Sequence, residues 1–454
     1  SYNPTAATLK EFSYKSSDTG VATIDSNKLV TFKAPGTVTI TATAQDGSGK
    51  YGTCSITVSN SSGYSDEWTL LIYMCGADLE SGYAADDEGC ATDDLSEIYG
   101  LKNSLPSDVN IVVQAGGSKQ WSSQFSSVIS SSKRNRFHLT KTGFVKDSQD
   151  SKVNMGLESN FKDFLQWGLE SYPANKVGLI LWNHGGALDG CCYDEQYSGD
   201  GLTPTEVASA IPAAMSAAGY TNKLEFIGYD CCLMSVQDIA GLNSDYANYM
   251  VASEEAEWGY GWSYDKFVDD LMEKKPTETI LRACVDGFKE DTTEAYEFWE
   301  KDNDQTLAYY NLTNWSTYQN AWENFASYLS SDKIKSSSDW ITFASVARTA
   351  KRFCAEDGYA YDLVDVVDFL NKMKKSSSYK SDSTLMSKIS TIESAFSGLD
   401  VYSWCGDKAG NANGLAMFCP LCGSSPKSWY DEENTCFTYW RELCLKYGSW
   451  DSWY

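Results

Sequence analysis

The sequence has only two histidines among its 454 residues, His138 and His184. Any mechanism that needs an imidazole titrating near neutral pH must use one of these two side chains. Basic residues are also scarce, because 36 lysines and arginines stand against 62 aspartates and glutamates, which gives a formal net charge of −26. Such a surface repels nucleic acid and anionic lipid headgroups and attracts cationic ligands, so we expect no nucleic-acid partner.

Long apolar runs are absent as well. The longest, Trp68–Cys75 and Val177–Trp182, fall far short of the roughly 18 residues of a membrane-spanning helix, and they are typical of buried strands. We therefore expect no membrane span. The chain opens with Ser1-Tyr2-Asn3-Pro4, without the basic and apolar segments of a signal peptide, which is either absent or already removed.

Fourteen cysteines are too few for a disulfide-based scaffold of this length. Cys405, Cys419 and Cys422 have the spacing of half a zinc site, but the second cysteine or histidine pair of a zinc signature is missing. Buried thiols, or one or two disulfides, are the alternatives. We assign no metal ligand.

Residues 18–58 alternate apolar and polar positions, as in Leu29–Phe32 and Thr37–Thr43. A period of two with β-branched residues predicts antiparallel strands, and Asp, Asn, Gly and Pro between the runs predict turns. The segment resembles the last two thirds of a bacterial Ig-like domain of group 2. Because the opening strands are not evident, we expect residues 1–14 to pair with the module, or the module to pack against the next domain.

Beyond a short polar linker, strands alternate with helices, a pattern that predicts a parallel sheet with crossover helices. We divide the chain into a partial Ig-like β module (1–60), a linker (61–66) and a second domain (67–454) with a C-terminal α/β extension. One helix begins at the capping box Thr203–Glu206. The predicted buried strands are Trp68–Met74, Val109–Gln114, Lys176–Trp182, Leu224–Tyr229 and Tyr249–Ala252.

Two of these strands end in reactive side chains. Lys176–Trp182 leads into Asn183-His184-Gly185-Gly186, and Leu224–Tyr229 leads into Asp230-Cys231-Cys232. Ligands bind outside the carboxyl ends of strands in an open parallel sheet, so we expect a histidine and a cysteine to face each other there. A free thiol is only about 3% ionised at neutral pH, so a nearby imidazole or the dipole of a following helix must activate it.

These motifs resemble the clostripain family of cysteine peptidases, relatives of the caspases, gingipains and legumains. The resemblance implies an α/β fold with a caspase-like, mostly parallel sheet flanked by helices, and it covers about residue 66 to the end. The similar segments are EWTLLIYMCGADLES (67–81), YPANKVGLILWNHGG (172–186), GYDCCLMS (228–235), ASEEAEWGYGWSYDKF (252–267) and ANGLAMFCP (412–420).

The family's Asp-Ala-Cys-Leu-Met pattern aligns with residues 230–234, which implies that Cys232 is the nucleophile. Cys231 then stands where the family has alanine, and a part for it in reactivity stays open. The resemblance also implies that His184 protonates the leaving amine and that the N–H groups of Gly185 and Cys232 stabilise the oxyanion. It implies a dyad, since no third member of a triad is evident.

Asp230 takes the position of the aspartate that, in the family, lies in the pocket for the side chain before the scissile bond. The resemblance therefore implies cleavage after Arg or Lys, and the bidentate pairing of a guanidinium with a carboxylate favours Arg. The acidic run Glu254, Glu255 and Glu257 adds negative charge near the pocket, with no one of them singled out. The net charge of −26 agrees with cationic substrates.

Relatives are often cut after a basic residue between the catalytic histidine and cysteine. Lys223 is the only basic residue in that segment here, and it directly precedes a predicted strand, so we expect an intact chain. The acidic loop 189–201 is a candidate for the calcium that some relatives need, with a solvated loop as the alternative. We expect no required cofactor. His138, in a predicted strand without catalytic context, is expected to be structural.

The sequence thus predicts a secreted or cell-surface cysteine endopeptidase that cleaves proteins or peptides after Arg or Lys with Cys232 and His184. The Ig-like module is interpreted as a passive stalk and is the candidate for association with the cell wall or surface. The alternative is a catalytically inactive cell-surface binding protein with a peptidase-like fold, whose Ig-like module does the binding. The intact His184 and Cys232 argue against that alternative.

Overall fold

The computed structural model describes residues 12–25, 28–33, 36–58, 63–83, 89–298, 303–354, 362–420, 430 and 435–450. The chain divides into two compact units, Ser1–Tyr64 and Ser65–Tyr454. The expected pairing of residues 1–11 and the cysteine at position 422 lie outside the described residues.

The first unit is built from short antiparallel strands. Its core holds Val21, Ala22, Val38 and Ile40, of which Val38 and Ile40 share a face of β4 because alternate residues of a strand face the same side. The first, fourth and fifth strands form one sheet and the second and third form a hairpin, so residues 12–14 pair into the module as expected. The strands are β1 (Phe12–Ser16), β2 (Ala22–Ile24), β3 (Val30–Phe32), β4 (Gly36–Ala44) and β5 (Tyr51–Val58).

The second unit is organised around a nine-stranded sheet. Its five inner strands run parallel, and they are the five strands predicted from apolar runs. The outer strands pair antiparallel. In spatial order the sheet consists of β17 (Tyr402–Cys405), β15 (Thr306–Asn311), β14 (Ala247–Ala252), β13 (Leu224–Asp230), β10 (Ala174–Trp182), β6 (Asp66–Cys75), β7 (Val109–Gly116), β8 (Lys133–Thr140) and β9 (Gly143–Ser151).

Helices cover both faces of this sheet. On one face, α2 (Cys90–Gly100), α6 (Tyr264–Met272) and α7 (Thr277–Phe298) bury apolar residues against Leu70 and Ile72. On the other, Tyr73 contacts Phe161 and Phe164 of α3 (Glu158–Ser171), and α4 (Pro204–Ala218) packs beside α3. The alternation of Ile72 and Tyr73 between faces is the period-two geometry of a strand buried on both sides.

The crossover from β10 to β13 passes through a small hairpin, β11 (Cys191–Asp194) and β12 (Asp200–Leu202), and then α4. The Thr203 side chain accepts the N–H of Glu206, and the Glu206 carboxylate accepts the N–H of Thr203, which confirms the predicted capping box.

The C-terminal region attaches to the chain that follows β13. Strands β16 (Leu363–Asp365) and β18 (Ala416–Phe418) pair antiparallel, and the N–H of Ala416 donates to the carbonyl of Ser235 at 2.9 Å. None of the described helices is long and apolar enough to cross a membrane. The other helices are α1 (Ala77–Ser81), α5 (Gln237–Asn243), α8 (Trp315–Tyr328), α9 (Ser337–Ala347), α10 (Val366–Lys375), α11 (Ser383–Ser397) and α12 (Thr438–Gly448).

Candidate active site

The predicted histidine and cysteine lie at matched positions beyond two adjacent parallel strands. Trp182 at the end of β10 pairs with Asp230 at the end of β13, and the N–H of Asn183 donates to the carbonyl of Asp230 at 3.2 Å. His184 and Cys232 each follow two residues after this pair, and both line one pocket of about 90 Å³. The structure therefore brings the two residues together as the sequence predicts.

The position of this pocket follows from the order of the strands. From β6 the chain first adds β7 on one side and later adds β10 and β13 on the other side. The order in which strands are added therefore reverses next to β6. The crevice outside the carboxyl ends at such a reversal is where open α/β sheets bind ligands.

The thiol of Cys232 is partly exposed and faces backbone N–H groups. Its sulfur accepts the N–H of Glu257 at 3.2 Å, and the N–H of Gly185 also points to it. Burial raises the pKa of this thiol, and the two N–H groups oppose that rise. When this sulfur attacks a substrate carbonyl, the oxyanion develops on the carbonyl oxygen, and backbone N–H groups of the same kind would lie near it.

Gly185 allows the histidine and cysteine segments to approach this closely. A Cβ at this position would lie 2.2 Å from the carbonyl oxygen of Cys232 and 3.0 Å from the Cβ of Cys231. Any side chain there would push the two strand ends apart, so the glycine fits the role expected of a close backbone donor.

Cys231 is in a different environment from its neighbour. It is 1% exposed, and its thiol donates to the carbonyl of Leu181 at 3.4 Å. It lies beside the buried Cys191 and Cys192, and burial raises its pKa well above the ordinary value. Of the two adjacent cysteines, Cys232 alone combines access to the pocket with N–H donors at its sulfur.

The imidazole of His184 is 41% exposed, and its Nε2 lies 2.9 Å from Oδ1 of Asp78. Asp78 is in α1, which follows β6, the strand on the other side of β10. This residue was not predicted from the sequence. The signal for it was its place as the first carboxylate beyond a strand predicted to lie in the same sheet.

The backbone around His184 is fixed by hydrogen bonds to its neighbours. Asn183 donates to the carbonyl of Cys75 at 2.6 Å and accepts the N–H of Tyr193 at 2.7 Å. The N–H of Cys192 donates to the carbonyl of His184 at 3.3 Å. These bonds connect the histidine segment to the end of β6 and to β11.

Asp230 lies at the inner end of the pocket with 5% exposure. The hydroxyl of Tyr264 donates to its Oδ2 at 2.9 Å, and burial raises its pKa to about 7. Glu257 lines the same pocket, its Oε2 accepts the indole N–H of Trp262 at 3.2 Å, and its carboxyl group is in hydrogen-bond contact with that of Asp230. Burial, with the negative charges of Asp230 and Cys232, raises the pKa of Glu257 well above its ordinary value.

A third carboxyl group, that of Asp94 in α2, lies close to Asp230. Its Oδ2 accepts the indole N–H of Trp182 at 2.6 Å, and burial and Asp230 raise its pKa well above the ordinary value. A Cβ on Gly261 would lie 3.3 Å from Asp94 and 3.6 Å from Asp230. Within the described part of the chain, no lysine or arginine forms an ion pair with Asp94, Asp230 or Glu257.

The other two members of the acidic run point away from the pocket. Glu254 accepts the N–H of Gly414 at 2.7 Å, and Glu255 accepts the N–H groups of Ala256 and Cys354. Glu257 is therefore the member of the run that contributes a carboxyl group to the pocket, a distinction that spacing alone did not make.

The carboxylates of the acidic loop go to separate partners. Asp194 accepts the N–H groups of Met155 and Gln196, Glu195 pairs with Lys119 at 3.1 Å, and Asp200 accepts the amide of Asn154. No group of three or more His, Cys, Asp or Glu residues is arranged to hold a metal ion in the described ranges. Calcium binding by this loop stays a prediction.

Two other residues considered in the sequence analysis, Cys419 and His138, also contact neighbouring side chains. Cys419, from the predicted half zinc site, lies beside Cys444. His138 lies in β8 with its Nδ1 3.0 Å from Asp147 and 2.9 Å from the hydroxyl of Tyr172. These contacts fit a structural histidine.

Comparison with known proteins agrees with this architecture. Residues 72–452 match the clostripain family, and residues 1–54 match the bacterial Ig-like domain of group 2. Clostripain of Hathewaya histolytica is 24% identical over 442 residues, which cover 85% of this chain and 78% of that protein.

Solved structures show the same fold. A secreted C11 cysteine protease of Bacteroides thetaiotaomicron, iotapain, superimposes with a TM-score of 0.58 at 16% identity, covering 83% of this chain and 99% of that one. An inactive zymogen C11 protease of Parabacteroides distasonis gives a TM-score of 0.54 at 15% identity, covering 85% and 99%. The resemblance read from the sequence is confirmed, and the chain belongs to the clostripain family of cysteine endopeptidases.

Proposed function

We propose that this protein hydrolyses peptide bonds after Arg or Lys, with Cys232 as nucleophile and His184 as the acid and base. The observation that carries the proposal is the buried acidic pocket beside the thiol. Asp230 and Glu257 both line it, and no described lysine or arginine forms an ion pair with either. Two buried carboxyl groups are costly to ionise without a cation beside them, and a basic substrate side chain would supply that cation.

In this mechanism the Cys232 thiol gives its proton to His184, and the thiolate attacks the scissile carbonyl and forms a tetrahedral oxyanion, which accepts the N–H groups of Gly185 and Cys232. His184 gives that proton to the leaving amine as the C–N bond breaks, which leaves a thioester on Cys232. His184 then takes a proton from water as its oxygen attacks the thioester, and it returns this proton to the sulfur as the carboxylic acid product leaves.

The acidic pocket explains the preference for a basic side chain. An Arg or Lys side chain next to Asp230 and Glu257 favours their ionised forms, so a proton leaves the pocket as the cation enters. The planar fork of Arg matches a carboxylate with two hydrogen bonds, whereas Lys acts as a point charge. We therefore expect Arg to be preferred.

We also propose that the protein acts outside the cell, at the surface or in the medium, with the Ig-like unit as a stalk. Iotapain, which has the same fold, is a secreted protease, and this supports the same location here. The competing function, an inactive binding protein, requires a disabled thiol and imidazole. Cys232 and His184 instead share an open pocket.

Labelling with an arginyl chloromethyl ketone, followed by mapping of the modified residue, tests the proposal. We expect one label, on Cys232, with loss of hydrolysis of an arginyl amide. A glutamyl chloromethyl ketone is the matched control and should label far more slowly, because the pocket repels its carboxylate. Labelling of Cys231 would overturn the choice of nucleophile, and labelling of neither cysteine would favour the binding protein.

A further inference from the structure

The carboxylate of Asp78 is in hydrogen-bond contact with one of the two nitrogens of the His184 imidazole. The distance from Oδ1 to Nε2 is 2.9 Å. An imidazole that donates Nε2–H to a carboxylate has its other nitrogen, Nδ1, left for proton exchange with the reacting groups. The contact therefore defines which nitrogen is available and which way the ring faces.

The helix that carries Asp78 is held in place by buried contacts. Glu80, fully buried two residues later, accepts the N–H of Thr92 at 3.0 Å, the hydroxyl of Thr92 at 2.7 Å and the N–H of Ser122 at 2.8 Å. The N–H of Gly76 donates to the carbonyl of Gly116 at 2.9 Å. Both sides of Asp78 are thus anchored to the sheet and to α2.

The backbone just before Asp78 is strained. Ala77 has a φ of 44°, in the left-handed region that costs free energy for a residue with a Cβ. The buried contacts of Glu80 and Gly76 hold that conformation. Without the left-handed residue, the chain leaving β6 would turn differently and the carboxylate would not reach His184.

We propose that Asp78 is a positioning residue for the hydrolysis. Three groups then act together, a carboxylate, an imidazole and a thiol, rather than the two of a dyad. This inference rests on the proposed function. Asp78 accepts Nε2–H of His184, keeps Nδ1 directed to the scissile bond, and stabilises the imidazolium before it protonates the leaving amine. An exposed pair of this kind adds little to the free energy of unfolding, so we expect its loss to change the rate of catalysis rather than the stability of the fold.

A bound substrate would strengthen this contact. The side chains of Asp78 and His184 are 69% and 41% exposed, and a peptide over the pocket would exclude water from His184, which lines it. The other titratable groups that line the pocket are Cys90, Asp230, Cys231, Cys232 and Glu257. Asp78 is the one carboxylate in hydrogen-bond contact with the imidazole among the described residues.

The test compares Asp78→Asn, Asp78→Glu and the wild type on an arginyl amide and on the matching arginyl ester. We expect Asp78→Asn to lower kcat for the amide at least about 10-fold with little change in KM, since the acid step is impaired. Ester hydrolysis should fall less, because an alcohol leaves with less help from an acid. Asp78→Glu should recover part of the amide activity.

The ratio of ester to amide hydrolysis separates this role from a structural one. A general loss of structure would lower both rates alike, whereas loss of a positioning carboxylate should lower the amide rate more. Asp93→Asn, which neutralises an exposed carboxylate of α2, is the matched control and should leave that ratio unchanged. An Asp78→Asn enzyme with the amide activity and the ester-to-amide ratio of the wild type would overturn the inference.

Active-site labelling in the same preparations separates the two proposals. If the wild type neither cleaves the arginyl amide nor reacts with the arginyl chloromethyl ketone, the proposed function fails, and this inference fails with it. If the wild type does both and Asp78→Asn matches it in amide rate and ester-to-amide ratio, the role of Asp78 alone is wrong.

Discussion

Trp182 lies directly opposite Asp230 where β10 pairs with β13, and this pair sets the position of both proposed reacting groups. His184 and Cys232 are each two residues further along, although 48 residues separate them in the sequence. Their alignment is a property of strand register, because parallel strands that end together place the next residues side by side.

Replacing Cys232 by alanine should abolish hydrolysis of an arginyl amide, with kcat falling by about 10⁴-fold or more, since the nucleophile is lost. Cys231→Ala is the matched control. Its thiol contacts the carbonyl of Leu181 and lies in a buried cluster, so this variant should keep most of the activity. Activity that survives in Cys232→Ala and disappears in Cys231→Ala would reverse the assignment.

Replacing Glu257 by glutamine should lower kcat/KM for arginyl and lysyl amides about 10- to 100-fold, because glutamine has the same shape but cannot ionise when the substrate cation enters. The measurement is steady-state kinetics on both substrates. Glu255→Gln is the control, since Glu255 accepts backbone N–H groups away from the pocket and should leave kcat/KM nearly unchanged. Equal losses in both variants would contradict a specific part for Glu257.

Inhibition by a small guanidinium compound such as agmatine should strengthen as the pH rises. Burial raises the pKa of Asp230 to about 7 in the free enzyme, so below that pH the cation must displace a proton before it can pair. The inhibition constant should therefore fall from about pH 5 to about pH 8 and then level off. In Asp230→Asn it should be weaker and vary less with pH, whereas a pH-independent constant in the wild type would exclude this coupling.

Asp238→Asn should change the pH dependence of stability without changing inhibitor binding. Asp238 is buried in α5 beside the hydroxyl of Thr435, and burial raises its pKa to about 7. Because this folded pKa lies above the unfolded value, the native state holds a proton that the unfolded state loses, and stability falls as the pH rises toward 7. The variant should lose less thermal stability than the wild type between about pH 5 and 8. An equal loss in the two proteins would contradict the assignment.

Removing residues 1–62 should leave the hydrolysis of a small arginyl amide intact. Every residue that lines the pocket belongs to the second unit, whose first strand begins at Asp66. We expect unchanged kcat and KM for the shortened protein. A large loss of kcat in a shortened chain that still unfolds cooperatively would show that the Ig-like unit takes part in catalysis.

The sequence predicts the inner strands of the nine-stranded sheet better than its edge strand β9. The five parallel strands are apolar on both faces and stand out as continuous runs, and the residues at two of their ends identify His184 and Cys232. The edge strand β9 was not predicted, because its polar sequence, GFVKDSQDS, has no apolar periodicity.

The other residues of the site could not be predicted either, and the reason differs from the one given for β9. Asp78, Asp94 and Glu257 come from α1, α2 and the chain after β14, and only the packing of those elements around the strand ends brings Asp78 to His184, Asp94 to Asp230 and Glu257 to the pocket. Local pattern cannot separate Glu257 from Glu254 and Glu255, since the three differ in their partners and hardly in their sequence surroundings.

The register of β10 and β13 has one more consequence. Each strand is hydrogen-bonded on both sides, β10 to β6 and β13, and β13 to β10 and β14, while the connection between them runs through α4 and the β11–β12 hairpin, which exposes residues 197–200 at its turn. The covalent chain between the imidazole and the thiol is therefore not what holds them together. An enzyme nicked between β11 and β12 would behave as a noncovalent complex of two fragments with the same chemistry, so cleavage there would change the number of polypeptides without dismantling the catalyst.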